Sequence, residues 1–126
     1  MKKLLLLLSL SLLACNTCKV ANVSKIQEIQ FGAGGGITGD IRTYSLDNKG
    51  NLYYQEKLVK KISGDSISVL LKLAEQLPQE DLVNSGNRYC FLRIISKDSA
   101  HYYAWSLDKD TNPKVVELYN KLKIQL

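Results

Sequence analysis

The residues that could do chemistry are few: one His, three Cys and one glycine-rich run in 126 residues. Gly34-x-Gly36-x-x-Gly39 spells the dinucleotide fingerprint, whose glycines let a pyrophosphate approach a helix N-terminus. That chemistry requires a helix directly afterwards. Asp40-Ile41-Arg42-Thr43-Tyr44 follows instead and reads as a strand, so nucleotide binding is not expected. A phosphate loop would end in Gly-Lys-Ser or Gly-Lys-Thr, and Gly39-Asp40 is no substitute. His101 has no Ser or Cys nucleophile near it in sequence and reads as a solvent-facing residue at a strand end. One His cannot build a multi-His metal centre or a His relay. Glu80-Asp81 and the pair Asp108 and Asp110 fall in loops, as turn formers without calcium-loop spacing. Tyr102, Tyr103 and Trp105 are assigned mainly to the core, with an aromatic binding patch as the alternative. No catalytic residue, metal site or cofactor is expected.

Cys15 is different. Lys2 and Lys3 are followed by residues 4–13, which are all Leu except Ser9 and Ser11. A basic start and a ten-residue apolar run have the form of a secretory signal peptide. The run is too short for a bilayer core of ~30 Å, which takes about 20 helical residues. Leu12-Leu13-Ala14-Cys15 then resembles a bacterial lipobox, with Leu at the third position before the Cys and a small residue just before it. In that pattern the Cys15 thiol is the nucleophile that accepts a diacylglyceryl group. Leu12, Leu13 and Ala14 are what the signal peptidase recognises, Ala14 being small enough to expose the bond. The expected organisation is a leader at 1–14, a lipidated Cys and tether at 15–24, and one α+β domain at 25–126. The expected location is the cell envelope, on its periplasmic or surface face, held to the lipid membrane by acylated Cys15.

Cys15-Asn16-Thr17-Cys18 also reads as C-x-x-C, but acylation would consume its first thiol. Cys18 and Cys90 remain. Either they form a disulfide, which the envelope permits, or Cys90 is a buried thiol acting as a small hydrophobe. Removing the leader takes 14 of 126 residues and leaves 112. Loss of Lys2 and Lys3 lowers the net charge from +5 to +3. A domain this mildly basic, without a dense Lys/Arg patch, is not expected to bind nucleic acid.

The elements that must position these residues can be read by periodicity. Residues 25–31 form a strand. Five glycines between positions 32 and 39 are expected to make a flexible connection or a bulged hairpin, since glycine orders at high entropic cost. Residues 37–46 are a second strand, with Ile41 and Tyr44 packing. Asp47-Asn48-Lys49-Gly50-Asn51 is a hairpin turn. Residues 52–59 return as one strand, with Leu52, Tyr54 and Leu58 on one face and Tyr53 opposite. Asp65-Ser66 caps a helix whose stripe is Ile67, Leu70, Leu71, Ala74 and Leu77, and Pro78 ends it. Residues 89–96 are apolar on both faces, as in a central strand. Residues 101–107 return, with Tyr103, Trp105 and Leu107 on one face. Asn112-Pro113 opens a second helix with the stripe Val115, Val116, Tyr119, Leu122 and Leu126. The predicted fold is α+β in the order β-β-β-α-β-β-α: a mainly antiparallel sheet of about five strands, with two helices packed on one face.

Gly35-Gly36-Ile37-Thr38-Gly39 followed by a strand, a Leu-rich helix, a two-strand return and a Pro-led terminal helix resembles the emfourin family of metalloprotease inhibitors. The emfourin pattern usually has an aromatic after the double Gly, where this chain has Ile37. The chain equally resembles small lipoproteins of Bacteroidetes-type bacteria that carry a Gly-Gly-Gly-x-Thr-Gly loop. The second resemblance implies a location and no activity. The first implies inhibition of a thermolysin-like metalloprotease, with the loop entering the enzyme's cleft. A long, flexible, exposed glycine loop could enter a partner's cleft, which makes Gly34, Gly35, Gly36, Thr38 and Gly39 the expected partner-binding loop. The primary expectation is an anchored, non-catalytic, protein-binding domain, and the alternative is a protease inhibitor.

Overall fold

The computed structural model describes residues 25–126. Cys15, its recognition residues Leu12, Leu13 and Ala14, and Cys18 lie outside the described residues. The elements are β1 (Ile26–Gly35), β2 (Ile41–Asp47), β3 (Asn51–Tyr54), β4 (Lys57–Lys61), α1 (Gly64–Glu75), β5 (Leu82–Asn84), β6 (Arg88–Ser96), β7 (Ala100–Ser106) and α2 (Pro113–Ile124). The fold is α+β, with one seven-stranded sheet in the order β4-β3-β2-β1-β6-β7-β5. All neighbours are antiparallel except β5, which runs parallel to β7. Five antiparallel strands was therefore an undercount, and the sheet is mixed.

Strand alternation sends one set of side chains to the helices. Tyr54, Tyr44, Phe31, Leu92, Tyr103 and Leu82 lie in register across six strands. Leu52, Leu46, Ile29 and Ile94 form the next row. Apart from Tyr54, both rows join one core with Ile67, Leu70 and Ala74 of α1 and Val115, Leu118, Tyr119 and Leu122 of α2. The helices thus cover one face of the sheet. Trp105 meets Tyr119 edge-on, with ring centroids 5.2 Å apart. Cys90 is a buried free thiol in this core. Burial, reinforced by hydrogen bonding with that thiol, pushes the Tyr119 phenol well above its ordinary range.

Several sequence expectations are corrected. Residues 52–59 are two strands rather than one, because Gln55 and Glu56 adopt φ of +48° and +65° and turn the chain back. Tyr54 pairs with Lys57 across this two-residue loop. Both residues in the left-handed region is the geometry of a type I′ turn, which Asn-Gly fills best. The double change Gln55→Asn with Glu56→Gly should therefore raise stability by about 1 kcal/mol, read as a higher urea midpoint with an unchanged slope. Leu58 is not a packing residue: β4 is an edge strand and all five of its residues are exposed. Its three lysines suit an edge that must resist pairing with other chains. Leu107 and Leu126 are also exposed, Leu107 because β7 ends at Ser106. Leu118 takes the place in the α2 stripe expected of Leu126. The cap of α1 is Ser63, whose hydroxyl accepts from the Ser66 amide at 3.3 Å, two residues earlier than expected.

The turn at Asp47 has its expected form. The carboxylate accepts from the amides of Lys49 and Asn51, each at 2.9 Å, and Gly50 has φ +93°. Partial burial raises the Asp47 pKa, but the Asn51 and Lys49 hydrogen bonds outweigh it and hold the carboxyl below 3.8.

Candidate functional site

The glycine run is not a loose connection. Gly32, Gly34 and Gly35 belong to β1, paired on one side with β6 and, through Gly34, on the other with β2. Two central neighbours supply the backbone hydrogen bonds, and rings from β6 fill the missing side-chain space. A Cβ on Gly32 would lie 1.8 Å from the Arg42 carbonyl oxygen, with the Phe91 ring 3.3 Å away. The Tyr89 hydroxyl lies 2.8 Å from where Gly34 would carry its own. Aromatics laid over strand glycines offset the entropic cost that the composition implies.

Only residues 36–40 form the turn. The Gly36 amide donates to the Asn87 carbonyl at 2.8 Å, and the Gly39 amide to the Gly36 carbonyl at 3.3 Å. The first bond pins the hairpin to the loop before β6. Ile37, at the tip, is fully exposed, and Thr38, Gly39 and Asp40 are exposed beside it. Ile41, expected to pack, is 60% exposed, since it lies at the far end of the sheet.

Beneath the tip is a cleft of about 630 Å³ whose lining includes Ala33, Ile37, Thr38, Arg42, Arg88 and Leu107. Register explains its form. Arg42 pairs with Ala33 on one side of β1, and Arg88 with Gly35 on the other. Alternation places Arg42 on the face of Tyr44 and Leu46, and Arg88 on the face of Cys90 and Leu92. Those neighbours are covered or partly covered, whereas Arg42, Arg88 and Ala33 are exposed at this end. The sheet extends past its helices here and leaves two arginines exposed on the strands flanking the end of β1. Gly34, Gly35, Gly36 and Thr38 also line this cleft, while Gly39 does not. Arg42, Arg88 and Leu107 carried no local sequence signal, because three strands and a loop bring them together.

The opposite face of the sheet is open. Phe91 and Ala104 are buried on it, flanked by Tyr89 and Tyr102. The Arg93 guanidinium lies 5.4 Å from the Tyr102 ring centroid. Burial and the Tyr89 phenol raise the Tyr102 pKa against the pull of Arg93. Of the three aromatics expected mainly in the core, Tyr103 and Trp105 are there and Tyr102 is not.

A second cavity, of about 680 Å³, lies at the other end of the sheet near Lys25 and Lys97. His101 lines it and is more covered than a solvent-facing residue: its side chain is 21% exposed and its Nδ1 lies 3.7 Å from Asp81 Oδ1. Asp81 also accepts from the Tyr102 amide, and the Tyr103 hydroxyl donates to the Pro78 carbonyl. Asp81 and Pro78 thus latch the α1–β5 connection onto β7, and Asp81 has a structural task. Asp108 accepts from the buried Ser106 hydroxyl, which lowers the carboxyl's pKa. No group of three or more His, Cys, Asp or Glu among the described residues is placed to hold a metal. No described helix is long and apolar enough to cross a membrane.

No protein-family model matches the chain, and no curated protein matches it.

Proposed function

We propose that the chain is a bacterial envelope lipoprotein, anchored through acylated Cys15, whose 25–126 domain is non-catalytic and binds another protein at the glycine-hairpin end. The observation that carries the binding role is Ile37, a fully exposed aliphatic side chain on a short turn pinned by the Gly36–Asn87 hydrogen bond. An exposed apolar residue on a fixed backbone loses little entropy on binding. The anchoring role rests on the Leu12-Leu13-Ala14-Cys15 pattern. The two roles fit together through β1. Its ten residues rise about 30 Å between Ile26, the strand end that follows the proposed tether in sequence, and Gly35 beside the turn.

Ile37→Asp tests the binding role. Recovery of the partner with the lipidated chain should fall at least tenfold, with the thermal midpoint unchanged because Ile37 packs against nothing. Unchanged recovery would move the binding surface elsewhere.

The same turn favours one alternative, an emfourin-like inhibitor of a thermolysin-like metalloprotease, with Ile37 entering the enzyme's cleft. In that case the chain inhibits such a protease and Ile37→Asp does not. Absence of inhibition across the thermolysin-like enzymes of the same organism retires this reading.

A further inference from the structure

We infer that the cleft beneath the hairpin takes an acidic peptide segment of a protein partner, with a carboxylate between Arg42 and Arg88 and flanking apolar side chains on Ile37 and Leu107. The inference rests on the protein-binding role proposed above. It starts from charge. Neither Arg42 nor Arg88 is in an ion pair among the described residues, and Asp40, which also lines the cleft, is within ion-pair distance of neither. A guanidinium is a planar fork that matches a carboxylate with two parallel hydrogen bonds.

Spacing comes next. Arg42 and Arg88 sit on the two strands flanking β1, opposite Ala33 and Gly35, so two strand spacings of ~4.8 Å and a two-residue offset at ~3.3 Å per residue put their backbones about 12 Å apart. Ala33 and Gly35, their partners on β1, put no large side chain between them, and the Arg88 Nε lies 3.7 Å from where Gly36 would carry a Cβ, so both side chains line the one cleft beneath the hairpin. The rim then selects among anions. Ile37 is fully exposed and Leu107 is 68% exposed, both on this cleft. Apolar contacts on both sides of a cation pair suit a chain whose acidic residues are flanked by aliphatic ones, and offer a bare phosphate nothing. A protruding acidic side chain of a peptide can enter the cleft, whereas an anionic bilayer presents its charge as a broad surface.

The test uses the full mature chain in phosphatidylcholine nanodiscs. Labelled Ala-Leu-Glu-Glu-Leu-Ala is compared with Ala-Leu-Gln-Gln-Leu-Ala. The acidic peptide should bind at least tenfold more tightly, and less tightly as salt rises. The double variant Arg42→Gln with Arg88→Gln should lose at least tenfold in binding and keep its thermal midpoint. Arg93→Gln, on the opposite face, should bind within twofold of the parent. Equal binding of the two peptides overturns the proposal, as does an equal loss with Arg93→Gln. Competition by inorganic phosphate as strong as by unlabelled peptide assigns the cleft to a simple anion. Competition by phosphatidylglycerol vesicles assigns it to a membrane surface. If the peptide fails while Ile37→Asp still abolishes partner recovery, the acidic assignment falls and the protein-binding role stands.

Discussion

A Gly35→Ala chain should lose about 3 kcal/mol of stability, the sum of left-handed backbone strain and a steric overlap. Gly35 has φ +89°, where a Cβ is strained in any surroundings. The added Cβ would also lie 1.7 Å from the Asn87 carbonyl oxygen. That oxygen is backbone, so no side-chain rotation relieves the overlap. It is also the acceptor for the Gly36 amide, so moving it breaks the bond that pins the hairpin. For a domain of about 100 residues the loss corresponds to a fall of roughly 10–20 °C in Tm. Gly39→Asn is the matched control. Its φ is +66°, nothing lies within 4 Å of its Cβ position, and Asn tolerates the left-handed region, so it should cost less than about 1 kcal/mol. Thermal unfolding of the two variants checks both. A Gly35→Ala midpoint equal to that of Gly39→Asn would mean that the end of β1 does not pack against Asn87 as described.

Cys15→Ala should abolish membrane anchoring. In the proposed pathway the Cys15 thiol receives the diacylglyceryl group, and cleavage before Cys15 follows. Each acyl CH₂ buried in the bilayer contributes about 0.8 kcal/mol, so two or more chains hold a small domain stably while none leaves it without a hold. The ten-residue apolar run of the uncleaved leader is shorter than the roughly 20 residues needed to span a bilayer. The expected readouts are loss of the lipid mass on the first residue, retention of residues 1–14, and a large drop in the integral membrane fraction. Cys18→Ala, which lacks the preceding Leu and Ala pattern, should behave as the parent. A Cys15→Ala chain with the parental N-terminus and unchanged membrane yield would refute the anchor.

The sequence was most legible where a residue's environment depends on its immediate neighbours. Asp47 to Asn51 form the expected turn because an Asx carboxylate and a left-handed Gly are local chemistry. Ile67, Leu70, Ala74 and Leu77 are buried as their spacing requires. The two-faced apolarity of Phe91, Leu92, Ile94 and Ile95 marked β6 as central, and it lies between β1 and β7. Legibility fell at sheet edges and ends. Leu58 and Val59 have the pattern of a packed strand, yet their exposure follows from β4 being last in order. β5 is three residues long and parallel, and only its pairing with β7 defines it.

Of the candidate site, the positions of Gly34, Gly35, Gly36 and Thr38 could be named from composition, but their conformation could not. Glycine's local preference is for disorder, and here Phe91 and Tyr89, more than fifty residues away, overrule it by covering the strand. By itself the sequence determined the Leu-rich run before Cys15, the single His and the α+β class, because each depends on residue type and near spacing. The tertiary structure alone decided that Gly32 to Gly35 are strand, that Ile37 is at the tip of the turn that follows, and that Arg42 and Arg88 lie opposite Ala33 and Gly35 on the two sides of β1. Those are long-range pairings, set by strand register between β2, β1 and β6, and no local pattern encodes which strand will lie beside which.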